Sequence, residues 1–214
     1  MAPPPQKLKV IYRDSHCLAV HKPEGIATYR ESRNSGADGC KEILEDQLNQ
    51  RLFPVHRIDA DTSGLVLFAL DPKSAAGLIR LFKEHRVKKT YHAWCVGQTP
   101  AKGTIKTPLK KHKSAETESA RTDFERLKVR GSFSLLKVMP HTGRFHQIRR
   151  HLDSIGHALV GDPLYGAREA WDSFFAGAPG GSKALPRLML QASELEFTHP
   201  VSRKEIRIRT KEAL

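Results

Sequence analysis

The 214 residues carry 36 Lys and Arg against 23 Asp and Glu, a formal net charge of +13, with 39% hydrophobic and 28% charged residues. That is enough chain to bury a core, and the balance excludes a disordered or fibrous protein. No apolar run is long enough to cross a bilayer. The start, Met1-Ala2-Pro3-Pro4-Pro5, lacks the charged-then-apolar order of a signal segment, so a cytoplasmic location is the default expectation.

In chain order, residues 1–7 form an expected flexible tail, and residues 8–214 an expected single continuous domain. Val10-Ile11-Tyr12 and Cys17-Leu18-Ala19-Val20 read as short strands, Lys22-Pro23-Glu24-Gly25 as a loop, and Cys40 to Gln50 as a short helix. Leu65-Val66-Leu67-Phe68-Ala69-Leu70 reads as a strand buried on both faces. Asp71-Pro72 then supplies an N-cap and a proline for a helix with Ala75, Leu78, Ile79 and Phe82 on one face. Tyr91 to Val96 and Phe133 to Val138 read as further strands. A second helix is expected to open at His141-Thr142-Gly143, with Phe145, Ile148, Leu152 and Ile155 on one face and Gly156 as its stop. Residues 167–186 hold a Gly/Pro-rich loop beside Trp171, Phe174 and Phe175, and Ile206-Arg207-Ile208-Arg209 alternates as an amphipathic strand. The pattern predicts an α+β fold with a largely antiparallel sheet.

The positive charge is concentrated. Residues 101–150 carry net +9 and residues 51–100 net +4, while the two ends balance. Such a stretch suits a polyanion, with a solvated face as the alternative; charge does not separate RNA from DNA. Cys17, Cys40 and Cys95 are too few and too scattered for a disulfide framework or a cysteine-built zinc site, and read as small buried residues. His141, His146, His151 and His157 fall at spacings that do not align ligands on one helical face, so no metal is expected.

Asp59 stands in a polar turn before the most apolar strand, either as a turn-capping residue or as a carboxylate held rigidly for chemistry. His56 and Arg57 make its neighbourhood cationic. Arg149 lies beside the apolar stripe of the second helix, where it must meet a carboxylate or phosphate, or else snorkel to solvent. Asp59 is a candidate partner, and such a pair keeps the acid ionised. Tyr91 is either a core tyrosine or an aromatic platform for a base.

Taken together, these segments resemble the RluA/TruC-type RNA pseudouridine synthase family. His56-Arg57-Ile58-Asp59-Ala60-Asp61-Thr62-Ser63-Gly64-Leu65 is similar to its signature around the catalytic aspartate. Thr142-Gly143-Arg144-Phe145-His146-Gln147-Ile148-Arg149-Arg150-His151-Leu152, then Val160-Gly161-Asp162, is similar to its helix motif. Lys89-Thr90-Tyr91, Lys22-Pro23-Glu24-Gly25 and Leu188-Met189-Leu190-Gln191-Ala192 match its other segments in order.

The resemblance implies a mixed, mainly antiparallel bent sheet flanked by helices and loops, and an isomerase that converts uridine to pseudouridine in structured RNA. It implies Asp59 as the catalytic carboxylate, Tyr91 stacking on the target base, Arg149 pairing with Asp59, and Arg57 filling the space of the flipped uridine. Leu190 and Ile148 pack against the base, and His56, Arg144 and Lys89 complete the set expected to touch RNA. No cofactor or metal is implied. His21 and Gln191 stand where the family has asparagine and histidine, and Arg150 replaces an apolar residue, a TruC-like feature that favours transfer over ribosomal RNA as substrate. No S4-like module is expected, and a monomer is the default. The alternative is a catalytically silent RNA-binding protein or chaperone of the same fold.

Overall fold

The computed structural model describes residues 7–30, 38–166, 174, 187–212 and 214. Residues 1–6, Trp171, Phe175 and nearly all of the 167–186 loop lie outside the described residues. The elements are β1 (Lys9–Arg13), β2 (Cys17–Lys22), α1 (Cys40–Leu48), β3 (Phe53–Pro54), β4 (Ser63–Ala69), α2 (Pro72–Lys83), β5 (Lys88–Val96), β6 (Lys102–Ile105), β7 (Leu109–Lys110), β8 (Thr117–Glu118), β9 (Thr122–Arg130), β10 (Phe133–Pro140), α3 (Gln147–Ser154), β11 (Leu190–Thr198) and β12 (Glu205–Arg209). No described helix is long and apolar enough to cross a membrane. The described residues form two compact units, one of residues 1–88 and 192–213, the other of 89–191 with Leu214. The sequence alone suggests one continuous domain.

In the first unit the strand order is β1-β2-β4-β11, with β3 against β4 and β12 against β11. The β1·β2, β2·β4, β3·β4 and β11·β12 pairings are antiparallel. All seven residues of β4 are buried, as its unbroken apolar run requires. Asp71 caps α2 by accepting the Ser74 N–H, and Pro72 occupies the first turn. Ala75, Leu78 and Leu81 of that helix are buried with Leu65, Leu67, Phe197 and Ile208, and Ile79 and Phe82 pack at the edge of the same core. Each fully buried leucine or phenylalanine there contributes about 1.5–3 kcal/mol.

In the second unit the antiparallel order is β5-β10-β9-β6. Its core joins Ala93, Leu136 and Val138 from the strands to Ile148 and Leu152 from α3. Here the structure corrects the sequence reading. The helix begins at Gln147, because His146 sits in the left-handed region (φ 51°) and interrupts helical geometry. The preceding turn is held by the Gln147 side chain, whose Oε1 accepts from the Thr142 hydroxyl and the Arg144 N–H. Its Nε2 donates to Arg121 O and Thr122 Oγ1. Phe145 and Ile155 therefore fall outside the helix and off its buried face, 42% and 39% exposed. Gly156 (φ 78°) does stop the helix.

Gly64, where β4 begins opposite Lys22 of β2, has φ 110°, and a Cβ there would lie 2.2 Å from Ala192 O. Both the backbone conformation and the close approach demand glycine. Gly64→Ala is expected to lower unfolding free energy by about 2–3 kcal/mol in urea titration; an unchanged midpoint would contradict this packing.

Candidate active site

The turn that carries Asp59 is tied down from three sides within the first unit. The Lys22 side chain is completely buried, and its ammonium donates to Pro23 O, Ile26 O and Ala60 O at 2.8, 2.7 and 2.8 Å. Gly25 N also donates to Ala60 O. Thr28 Oγ1 donates to Ile58 O and accepts from Ile58 N, so it clamps the residue just before Asp59. The turn closes with Thr62 N donating to Asp59 O. Burial pulls the Lys22 pKa down to about 8, against the attraction of Cys40, Asp61, Glu24 and Asp59.

Around this turn, Asp59 is half-buried and Arg57 exposed, with the Arg57 guanidinium 5.6 Å from the centre of the Tyr29 ring. His56 is anchored into the fold: its Nε2 accepts the Leu67 N–H at 2.9 Å and its ring stacks on Phe82 at 4.3 Å. Those bonds are the work of a residue that fixes the turn. His21, at the family's asparagine position, reaches Thr210 Oγ1 through Nδ1 and Glu212 Oε2 through Nε2.

The second unit gathers most of the other predicted residues. Ile148 and Leu190 are buried in one apolar cluster, and half-buried Tyr91 packs against it. This supplies an aromatic ring and two aliphatic side chains on a common wall. Arg149 is 1% exposed, and its Nε and Nη2 donate to Asp162 Oδ2 and Oδ1, both at 2.8 Å, in the two-pronged geometry of a guanidinium on a carboxylate. Burial alone would push the Asp162 carboxyl up; the bonds from Arg149 and from Leu164 N and Tyr165 N outweigh it and hold its pKa below the usual range. Asp162 is thus a partner that the helix pattern alone does not name. Its signal was the Val160-Gly161-Asp162 segment: Gly161 has φ 75°, and a Cβ there would lie 1.8 Å from Arg187 O, so only glycine lets the chain turn there.

Arg149 Nη1 lies 3.4 Å from His146 Nε2, and His146 Nδ1 is 3.2 Å from the Tyr165 hydroxyl. Lys89 is half-buried and donates to Thr142 O at 3.0 Å; burial brings its pKa down to about 8. Arg144 is committed to the neighbouring hairpin through Ser119 O and Glu118.

The four histidines of the metal alternative all have hydrogen-bond partners: Asp123 for His141, Tyr165 for His146, Thr122 and Thr107 O for His151, and Val96 O for His157. Among the described residues, Asp14, Cys17 and His199 do come within ligand spacing of one another. Their donor set does not suit a cation. His199 Nδ1 accepts from Val201 N and Ser202 N, which puts the ring proton on Nε2, the atom facing Asp14 Oδ2 at 3.4 Å. Asp14 Oδ2 already takes the Tyr12 hydroxyl at 2.6 Å.

The sequence profile described as RNA pseudouridylate synthase matches residues 16–154. The chain is 33% identical to tRNA pseudouridine synthase C of Vibrio parahaemolyticus, over 94% of this chain and 89% of that protein. It is 34% identical to the enzyme of the same name from Pasteurella multocida, over 94% and 90%. Among solved structures it is similar to human RNA pseudouridylate synthase domain containing 1, with TM-score 0.77 and 24% identity over 99% of this chain and 86% of that one. It is also similar to human RNA pseudouridylate synthase domain containing 4, with TM-score 0.75 and 20% identity over 96% and 88%. These likenesses identify the fold as the α+β fold of pseudouridylate synthase domains.

Two outcomes test this geometry. Asp162→Asn strips the carboxylate from a buried guanidinium and is expected to cost about 3–5 kcal/mol of stability, read by denaturant titration; a loss below about 1 kcal/mol would mean that Arg149 does not depend on it. For Lys89 the sign follows from a folded pKa of about 8 lying below the roughly 10.4 of an unfolded lysine. Between these values the unfolded chain binds more protons, so the contribution of Lys89 to stability is least favourable below about pH 8 and rises through that window. Wild type is therefore expected to gain stability relative to Lys89→Met from about pH 8 to 10. A difference that stays constant across this range would show that the amine is not desolvated.

Proposed function

The chain belongs to the RNA pseudouridylate synthase family, and from that membership we propose that Asp59 is the carboxylate that drives conversion of uridine to pseudouridine, in transfer RNA. The protein is an isomerase acting on RNA. The reaction breaks the N-glycosidic bond, turns the uracil and rejoins it to the ribose through carbon. No electrons are gained or lost overall, so the chemistry rests on one well-placed acid–base and nucleophilic group and on retention of the detached base.

The observation that carries the assignment of Asp59 is its setting. A buried ammonium, a glycine N–H and a threonine hydroxyl fix its turn at the head of a fully buried strand. A carboxylate held this firmly can attack ribose or drive cleavage of the base without spending binding energy on its own ordering. Tyr91 presents a ring to the uracil and a hydroxyl for the proton that must leave carbon, while Ile148 and Leu190 keep the base dry. Arg149, which the resemblance sets against the catalytic acid, acts as a positioning residue steadied by Asp162. Arg57 takes the place of the extruded uridine, and Arg144 and Lys89 lie in the basic stretch that meets the phosphates. His56 fixes the turn and stands beside Arg57 at the RNA.

Transfer RNA is supported by the names of relatives similar over 94% of this chain. We place the enzyme in the cytoplasm, as a monomer formed by one catalytic domain without cofactor or metal.

Asp59→Asn keeps the shape of the side chain and removes its charge. Pseudouridine formation in unmodified tRNA transcripts is expected to fall by roughly a thousandfold or more, with RNA affinity changed only a few-fold. Undiminished product from this variant would overturn the role given to Asp59.

A further inference from the structure

Just before α3, the second unit exposes an aromatic stack that the chemistry above does not use. The Phe145 ring lies 3.7 Å from the His146 ring, nearly parallel at 20°, and 4.3 Å from the His112 ring at 37°. Phe145 is 42% exposed and His112 is exposed. An exposed phenylalanine beside a helix whose own core is filled has no structural need to be there. Nor is the stack loosely held. His112 stands in the hairpin of β7 and β8, and the base of that hairpin is fastened to the start of α3 by two arginines. Arg150 donates to Lys110 O and, more weakly, to Phe145 O. Arg144 donates to Ser119 O and pairs with Glu118.

The surroundings are cationic. Lys110, Lys111 and Lys113 are all exposed on the hairpin, and of these only Lys111 meets an acid, Glu116, among the described residues. Flat rings flanked by cations are the chemistry of a platform for unpaired nucleotides: bases stack on the rings and phosphates meet the amines.

We propose that the His112–Phe145–His146 stack is a landing platform for an unpaired base of the substrate RNA, a base other than the uridine that reacts. The inference rests on RNA being the substrate. The reacting uridine needs a dry pocket, whereas this stack is open to water; it grips a neighbouring nucleotide and adds to affinity.

The test uses a fluorescein-labelled, uridine-free RNA of ten nucleotides and a fully abasic ribose-phosphate strand of the same length, with binding read by anisotropy. The two strands have equal charge and differ only in their bases, and neither offers a uridine to the reactive slot. Wild type is expected to prefer the strand with bases. Phe145→Ala and His112→Ala are expected to weaken binding of that strand about tenfold and to leave the abasic strand within twofold. Phe145→Trp, which keeps a flat ring, restores the preference; Phe145→Leu, apolar but not flat, does not. Equal losses on both strands, or rescue by leucine as good as by tryptophan, would overturn the platform and leave only a packing role. Pseudouridine formation by wild type in tRNA transcripts is measured beside it. If wild type modifies RNA while the alanine variants keep full preference for bases, the platform fails and the enzymatic reading stands; if wild type modifies no RNA, that reading fails on its own account.

Discussion

Hiding a lysine ammonium from water without a carboxylate bonded to it is costly, and the first unit meets that cost with three carbonyl oxygens arranged around Lys22. The arrangement has a directional result. Those carbonyls belong to Pro23, Ile26 and Ala60, on two segments that the Gly25 N–H and the Thr28 hydroxyl also tie together. The cation adds to those ties, because the convergence of the carbonyls is what solvates it. The loop after β2 and the turn before β4 become one piece, and the turn that carries Asp59, the carboxylate proposed for the chemistry, is steadied by a buried charge. A neutral side chain of similar size would fill the space yet leave those carbonyls without their shared donor.

The second unit solves the complementary problem in another way. There the buried cation is planar and is met by a carboxylate that matches its shape, so Arg149 and Asp162 fix each other's orientation as well as position. Carbonyl dipoles suit a compact ammonium that donates in several directions; a two-oxygen acid suits a guanidinium that donates along one edge in a set plane. Around that pair, Gln147 and His151 spend their side chains on the backbone and hydroxyls of neighbouring segments. Gln147 and His151 are scaffolding in that stretch.

Much of this was legible beforehand. The apolar run from Leu65 forced a buried strand, Asp71-Pro72 forced a helix start, and ordered motifs pointed to the family. What escaped had physical reasons. Periodicity counts Phe145 into a helical stripe, since it does not register that His146 adopts a left-handed backbone. Lys22 and Asp162 were visible only as letters in motifs, because their roles depend on partners far along the chain or on a glycine that lets the backbone pass. The bond that anchors His56 to Leu67 N is hidden from sequence as well, because it joins positions eleven residues apart.

The left-handed residue at the start of α3 has an evolutionary corollary. By reversing the chain one position before the helix, it uncouples side chain 145 from the packed interior while keeping it anchored to a stiff frame. Replacements at that site can retune what the surface grips with little penalty in foldability. A lineage could shift its preference among RNAs there while the machinery that rearranges the glycosidic bond stays as it was.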